Sequence, residues 1–236
     1  MNNNYYQTSL AGSLRDIHDT GEEAIFAEYC ATFGDNPIVF DAGACLGAWS
    51  IMARKYLPAA TIHAFDFNPC SLPYLKLNTK DLNIITNNFG LLDKNTVQKI
   101  YYAHDRNIAT SKVLVNDIPG SLVTNINFIK GDEYCSQQSI NHIDYLKIDT
   151  EGAEYLILCG FEDMIRNHKI GFIQFEVGNI NRKNGCTTKL LSEFFTAHEY
   201  RVGNIVRKEI QWDVFGPHFA SDGTNLIAKG LWVADK

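Results

Sequence analysis

From residue 37 onward, short runs of apolar residues alternate with stretches whose apolar positions recur every three or four residues. The first pattern predicts strands buried on both faces, the second amphipathic helices. Residues 38–40, Ile-Val-Phe, form the first such strand, which ends at Asp41. Glycines 43 and 47 follow, then a helix with Trp49, Met52, Ala53 and Tyr56 on one face. Residues 61–65 are the second strand, ending at Asp66, and Asn68-Pro69 opens a helix that turns Leu72 and Leu75 inward. A weaker strand is predicted over 84–89 and an extra one over 97–102, within a less regular region that runs to about residue 130. Residues 142–148 are a buried strand ending at Asp149. The next helix buries Ala153, Leu156 and Ile157, with Gly160 as its expected C-terminal cap. Residues 170–177 are another buried strand, with Glu176 near its end. A helix over 188–198 and strands near 200–206 and 224–229 complete the series. At the other end, residues 1 to about 19 read as loosely ordered. Thr20-Gly21-Glu22-Glu23 has the form of a capping box, with Thr20 at the N-cap of a helix that stops at Gly34. The chain thus divides into an N-terminal helical segment, 1–35, and a single domain, 36–236.

Alternating strands and helices predict an α/β fold, a mostly parallel central sheet with helices on both faces. Ligands of such sheets sit beyond the carboxyl ends of the strands, where the strand order reverses. Four predicted strands end there in acids: Asp41, Asp66, Asp149 and Glu176. Burying a carboxylate costs free energy unless it is paired. One such acid is equally well explained as a helix cap, whereas four together point to a ligand site.

Composition narrows the classes. A chain of 236 residues buries its own core without disulfide or metal staples. The net charge is −6 and no basic run is present, so a nucleic-acid partner is not expected. The six cysteines form no Cys-x-x-Cys pair and no Cys/His zinc spacing, and read as reduced thiols of a cytoplasmic protein. The N-terminus lacks the basic-then-apolar order of a secretion signal, and no apolar run reaches membrane-spanning length.

Three motifs carry the chemistry. Asp41-Ala42-Gly43-Ala44-Cys45-Leu46-Gly47 links a strand to a helix through two glycines, whose spacing differs from the G-x-G-x-x-G of a dinucleotide fingerprint. A helix N-terminus at this turn suits a carboxylate, and Asp41 suits an ammonium group. Asp66, about twenty residues on, is placed to accept hydrogen bonds from ribose hydroxyls. The third motif is IDYLKIDTEGAE at 143–154. With VFDAGACLG at 39–47 and FDFNP at 65–69, the chain resembles the FkbM family of methyltransferases from about Pro37 to Ile227. Cys45 and Phe67 depart from the family's usual polar residue and proline.

The resemblance implies a Rossmann-like class I methyltransferase fold and an S-adenosylmethionine-dependent O-methyltransferase. Its acceptor would be a hydroxyl of a sugar, glycan or natural product. Asp41, Gly43 and Gly47 would hold the methionine end and Asp66 the ribose. Asn88 and Phe89 would lie near the adenine, and Asp149, Glu151 and Glu154 beside the sulfonium. An alcohol needs help to lose its proton, from a general base or a metal. Asp149, Glu151 and His218 are the expected catalytic set, with Glu176, His104 and His142 as further candidate bases. A metal-free base is favoured over Mg²⁺, because no aspartate-dense metal loop is visible. Two other readings share the strand, turn and ribose acid: an NAD(P)-dependent oxidoreductase, and an inactive cofactor-binding protein of the same fold.

Overall fold

The computed structural model describes residues 3–102, 122–178, 186–213 and 224–233. Its main sheet has eight strands. Five are parallel: β1 (Ile38–Ala42), β2 (Thr61–Phe65), β3 (Ile84–Asn87), β7 (Ile143–Ile148) and β8 (Ile170–Val177). Strand β11 (Thr224–Gly230) runs antiparallel between β8 and β9 (Tyr200–Val206), and β10 (Glu209–Trp212) closes the edge. The order is β10-β9-β11-β8-β7-β1-β2-β3, so the direction of strand addition reverses beside β1. A second sheet of three strands, β4 (Gly90–Leu92), β6 (Leu122–Lys130) and β5 (Thr96–Tyr102), leaves the main one after β3. This is the α/β architecture that the alternating pattern predicts, and it agrees with the class I methyltransferase fold that the resemblance implies.

Successive residues of a strand face opposite sides, and the two sides bury two cores. Phe40 and Leu146 point into one, with Phe161 and Phe175; Val39 and Tyr145 point into the other, with Phe26, Trp49 and Phe172. Each such fully buried side chain contributes about 1.5–3 kcal/mol. Helices α3 (Ala48–Tyr56), α4 (Leu72–Thr79), α5 (Gly131–Gln137), α6 (Glu154–Gly160), α7 (Glu162–Arg166) and α8 (Thr188–Ala197) supply the covering layers.

Several expectations change. Residues 3–20 are not loose but form α1 (Asn3–Thr20), because Leu10, Leu14 and Ile17 share one helical face and pack onto the second core. Thr20 ends α1 rather than capping α2 (Glu22–Cys30): its hydroxyl donates back to the Asp16 and Ile17 carbonyls. Gly21 makes the break at φ 92°. Gly160 is not a left-handed cap but the last residue of α6, where a Cβ would lie 2.1 Å from the Leu92 carbonyl oxygen. Among the described residues, no helix is long and apolar enough to cross a membrane.

Candidate active site

The ends of β1, β2 and β7 are tied together by backbone bonds. Gly43 and Ala44 N–H both donate to the Phe65 carbonyl at 3.0 Å, and Asp149 N–H donates to the Ala42 carbonyl at 2.9 Å. This closeness explains Gly43: its φ is 89°, and a Cβ would sit 1.9 Å from the Asp149 carbonyl oxygen. The glycine admits the neighbouring loop. Gly47, also at φ 89°, caps α3 and leaves room for Leu75 and Thr79 of α4.

Asp66 welds two loops. One carboxylate oxygen accepts Cys45 N–H at 2.7 Å, and the other accepts Asn68 N–H at 2.7 Å and Ser71 Oγ–H at 3.0 Å. It therefore both fixes the turn into α4 and faces the cavity beside it. Burial pushes its carboxyl up to about 6.

That cavity, of about 610 Å³, is largely apolar, lined by Phe67, Gly90, Leu91, Phe128 and Ile157 beside Asp66. The Phe67 and Phe128 rings lie 5.3 Å apart. Asn88 is exposed and lines neither this cavity nor the next, while Phe89 packs on Phe65 and Tyr134. Asn88 and Phe89, expected near an adenine, thus form no part of this cavity, which is lined by Gly90, Leu91 and Phe128. Phe128 went unread because it arrives from β6, although the alternation of Ile126 and Phe128 with Asn125 and Asn127 is a strand signal.

A second cavity, of about 870 Å³, meets the first at Gly43, Cys45, Asp149 and Glu151. Carboxylates dominate its wall. Asp41 is buried, accepts Ser50 Oγ–H at 2.6 Å, and is pushed up to about 6 by that burial. Lys147, equally buried, places Nζ 3.2 Å from Glu22 and 3.4 Å from Asp149. Burial alone would lower its pKa, but Asp149, Glu22, Glu176 and Asp41 outweigh it and hold the ammonium charged. Glu176 is pushed up to about 7, first by burial and then by Asp149, with which it shares a hydrogen bond. Glu151, at φ 57°, lines both cavities.

Glu154 does not join this cluster. Its carboxylate turns back to accept Thr150 N–H at 2.9 Å, Gly152 N–H at 3.2 Å and the Thr150 hydroxyl at 3.1 Å, shaping the loop that carries Asp149 and Glu151. His142 is exposed and pairs with Asp144 at 3.2 Å, away from the cavities. Trp212 lines neither cavity and packs under Arg201, 5.0 Å from its ring. His104 and His218 lie outside the described residues. Among the described residues, no group of three or more His, Cys, Asp or Glu is arranged to hold a metal ion.

A family model described as the methyltransferase FkbM domain matches residues 41–202. The chain is also similar to the methyltransferase domain of METTL16, with a TM-score of 0.50, 10% identity, and coverage of 93% of this chain and 68% of that one. A precorrin-6y C5,15-methyltransferase from Geobacter metallireducens aligns with a TM-score of 0.49 and 14% identity, over 90% of this chain and 87% of the other. No protein with a curated description matches the sequence.

Proposed function

Because the chain belongs to the FkbM methyltransferase family, the model of which spans more than half of it, we propose that this S-adenosylmethionine-dependent methyltransferase methylates a hydroxyl group of a sugar, glycan or natural product. The observation that carries the reading is the meeting of an apolar cavity and an acid-lined cavity at Gly43 and Asp149. The residues present fit the cofactor: a slot between Phe67, Leu91 and Phe128 suits a flat base, and Asp66 at its rim suits ribose hydroxyls. Asp41 and the turn at 43–47 suit the charged methionine tail, as the motif implies. Bound there, S-adenosylmethionine supplies an electrophilic methyl carbon on positive sulfur. The carboxylates around Asp149 favour that positive charge, and the nicotinamide reading gives them no role.

The protein's own part is alignment and proton removal. Asp149 holds Lys147 on one side and Glu176 on the other, at the junction of the cavities. Raised to about 7 by burial and by its neighbour Asp149, Glu176 is partly ionised at neutral pH and able there to accept a proton from an acceptor hydroxyl. Glu151, between the cavities, orients the hydroxyl. The net charge of −6 and the acidic wall support a neutral acceptor over a polyanion. The test is turnover of S-adenosylmethionine to S-adenosylhomocysteine across a panel of hydroxyl compounds, with RNA as a further arm. Methylation of a hydroxyl compound is expected. Cofactor binding without turnover on any of them would favour the inactive-protein reading, and turnover on RNA alone would overturn the acceptor class.

A further inference from the structure

Glu22 is an odd residue to bury. It lies at the start of α2, before the span matched by the family model, yet it reaches the site and lines the acidic cavity. Its carboxylate is satisfied from several elements. Asn225 of β11 donates to it at 3.1 Å, and Gln174 of β8 donates as well. Tyr145 OH donates to the Gln174 carbonyl oxygen at 2.8 Å and so orients that amide. Lys147 lies between Glu22 and Asp149. Burying an ion pair costs several kcal/mol per ion, and packed hydrophobic residues of similar volume would hold α2 at least as well. A pair kept at that cost, with Asp149 on the other side of Lys147, calls for a role beyond anchoring.

We propose that Glu22 is a positioning residue for methyl transfer, holding Lys147 against Asp149 and thereby setting the charge that the Asp149–Glu176 pair presents to the cofactor. The N-terminal helical segment then completes the active site rather than merely covering it. The inference rests on the reading of this site as the seat of S-adenosylmethionine. The charged groups facing Lys147 are Glu22 from α2, Asp41 from β1, Asp149 beyond β7 and Glu176 from β8. Losing Glu22 leaves the ammonium less compensated, so the site as a whole becomes less negative.

S-adenosylmethionine and S-adenosylhomocysteine differ in the positive charge on sulfur, so the ratio of their affinities reads the charge of the site without any acceptor. Calorimetry on the full chain is expected to show that E22Q lowers the preference for S-adenosylmethionine by about threefold or more, the scale of one partly screened charge. A role limited to anchoring α2 would lower the melting temperature or weaken both ligands in equal proportion. An unchanged ratio in folded E22Q overturns the proposal. Should E22Q not fold, Asn225→Ala removes both a donor to Glu22 and an acceptor of Lys147, and so loosens the hold of Glu22 on Lys147 while keeping every charge. It is expected to lower the same ratio by about twofold, and an unchanged ratio there overturns the proposal equally. A wild type that binds neither ligand would instead overturn the functional reading itself.

Discussion

The two cavities that meet at Gly43 are made of opposite materials. Phe67, Leu91 and Phe128 give the first its walls, with Asp66 at the rim. Among the described residues, the second is lined by the acids Asp16, Glu22, Asp41, Asp149, Glu151 and Glu176 and by the ammonium of Lys147. The apolar side recognises shape, and its affinity follows area removed from water. The acidic side recognises charge, and its properties move with every proton gained or lost. One ligand lying across both would be gripped mostly by shape in the first and worked upon by charge in the second.

The harshest way to break this division is at the seam. Gly43→Ala would drive a Cβ into the Asp149 carbonyl at a φ that L-residues resist, and is expected to cost about 3 kcal/mol or more of stability, read by denaturant unfolding. It should impair both cavities together. Asp149→Asn, at the same seam, should act on the chemistry, cutting turnover at least about a hundredfold while S-adenosylhomocysteine still binds. Activity within a few-fold of wild type would remove Asp149 from the chemistry. Asp66→Ala should act on the apolar side, weakening S-adenosylhomocysteine by about 1.5–3 kcal/mol in calorimetry, and unchanged affinity would end the ribose assignment.

The gentlest probe is pH. Glu176 is raised from its ordinary 4.5 to about 7, so it ionises as pH rises from 6 to 8. A cationic ligand favours the ionised form, and S-adenosylmethionine should bind several-fold tighter at pH 8 than at pH 6, while S-adenosylhomocysteine changes less. For the ligand-free protein the sign is reversed. An acid held protonated by the fold adds stability that is fully present below its ordinary value and is lost as pH rises through the raised one. Equal pH profiles for the two ligands would detach Glu176 from the site.

The acids were more legible from sequence than the apolar wall. Asp41, Asp66, Asp149 and Glu176 each end an apolar run, and a parallel sheet brings such ends to one edge. What escaped was whatever depended on distant pairing. Phe128 enters its cavity because β6 pairs with β4, setting Gly90 opposite it. Asn88 is close in sequence to that wall but faces solvent. Glu22 read as part of a capping box, since nothing local shows that its partners are Lys147, Gln174 and Asn225. The apolar face of α1 carries only a few apolar residues, too sparse a stripe to announce a helix.

The place of β11 has a consequence for how the molecule is made. It slots between β8 and β9, antiparallel to both, yet is synthesised after them. On the ribosome the edge of β8 must therefore wait, and the β9–β10 hairpin has no seat until residues 224–230 emerge. Proteolysis of stalled nascent chains should find β9 protected only once that last strand is out of the exit tunnel. Asn225, which steadies Glu22 from the far end of the chain, emerges with that strand. A ribosome-bound fragment would thus carry every residue of the glycine turn and no finished active site.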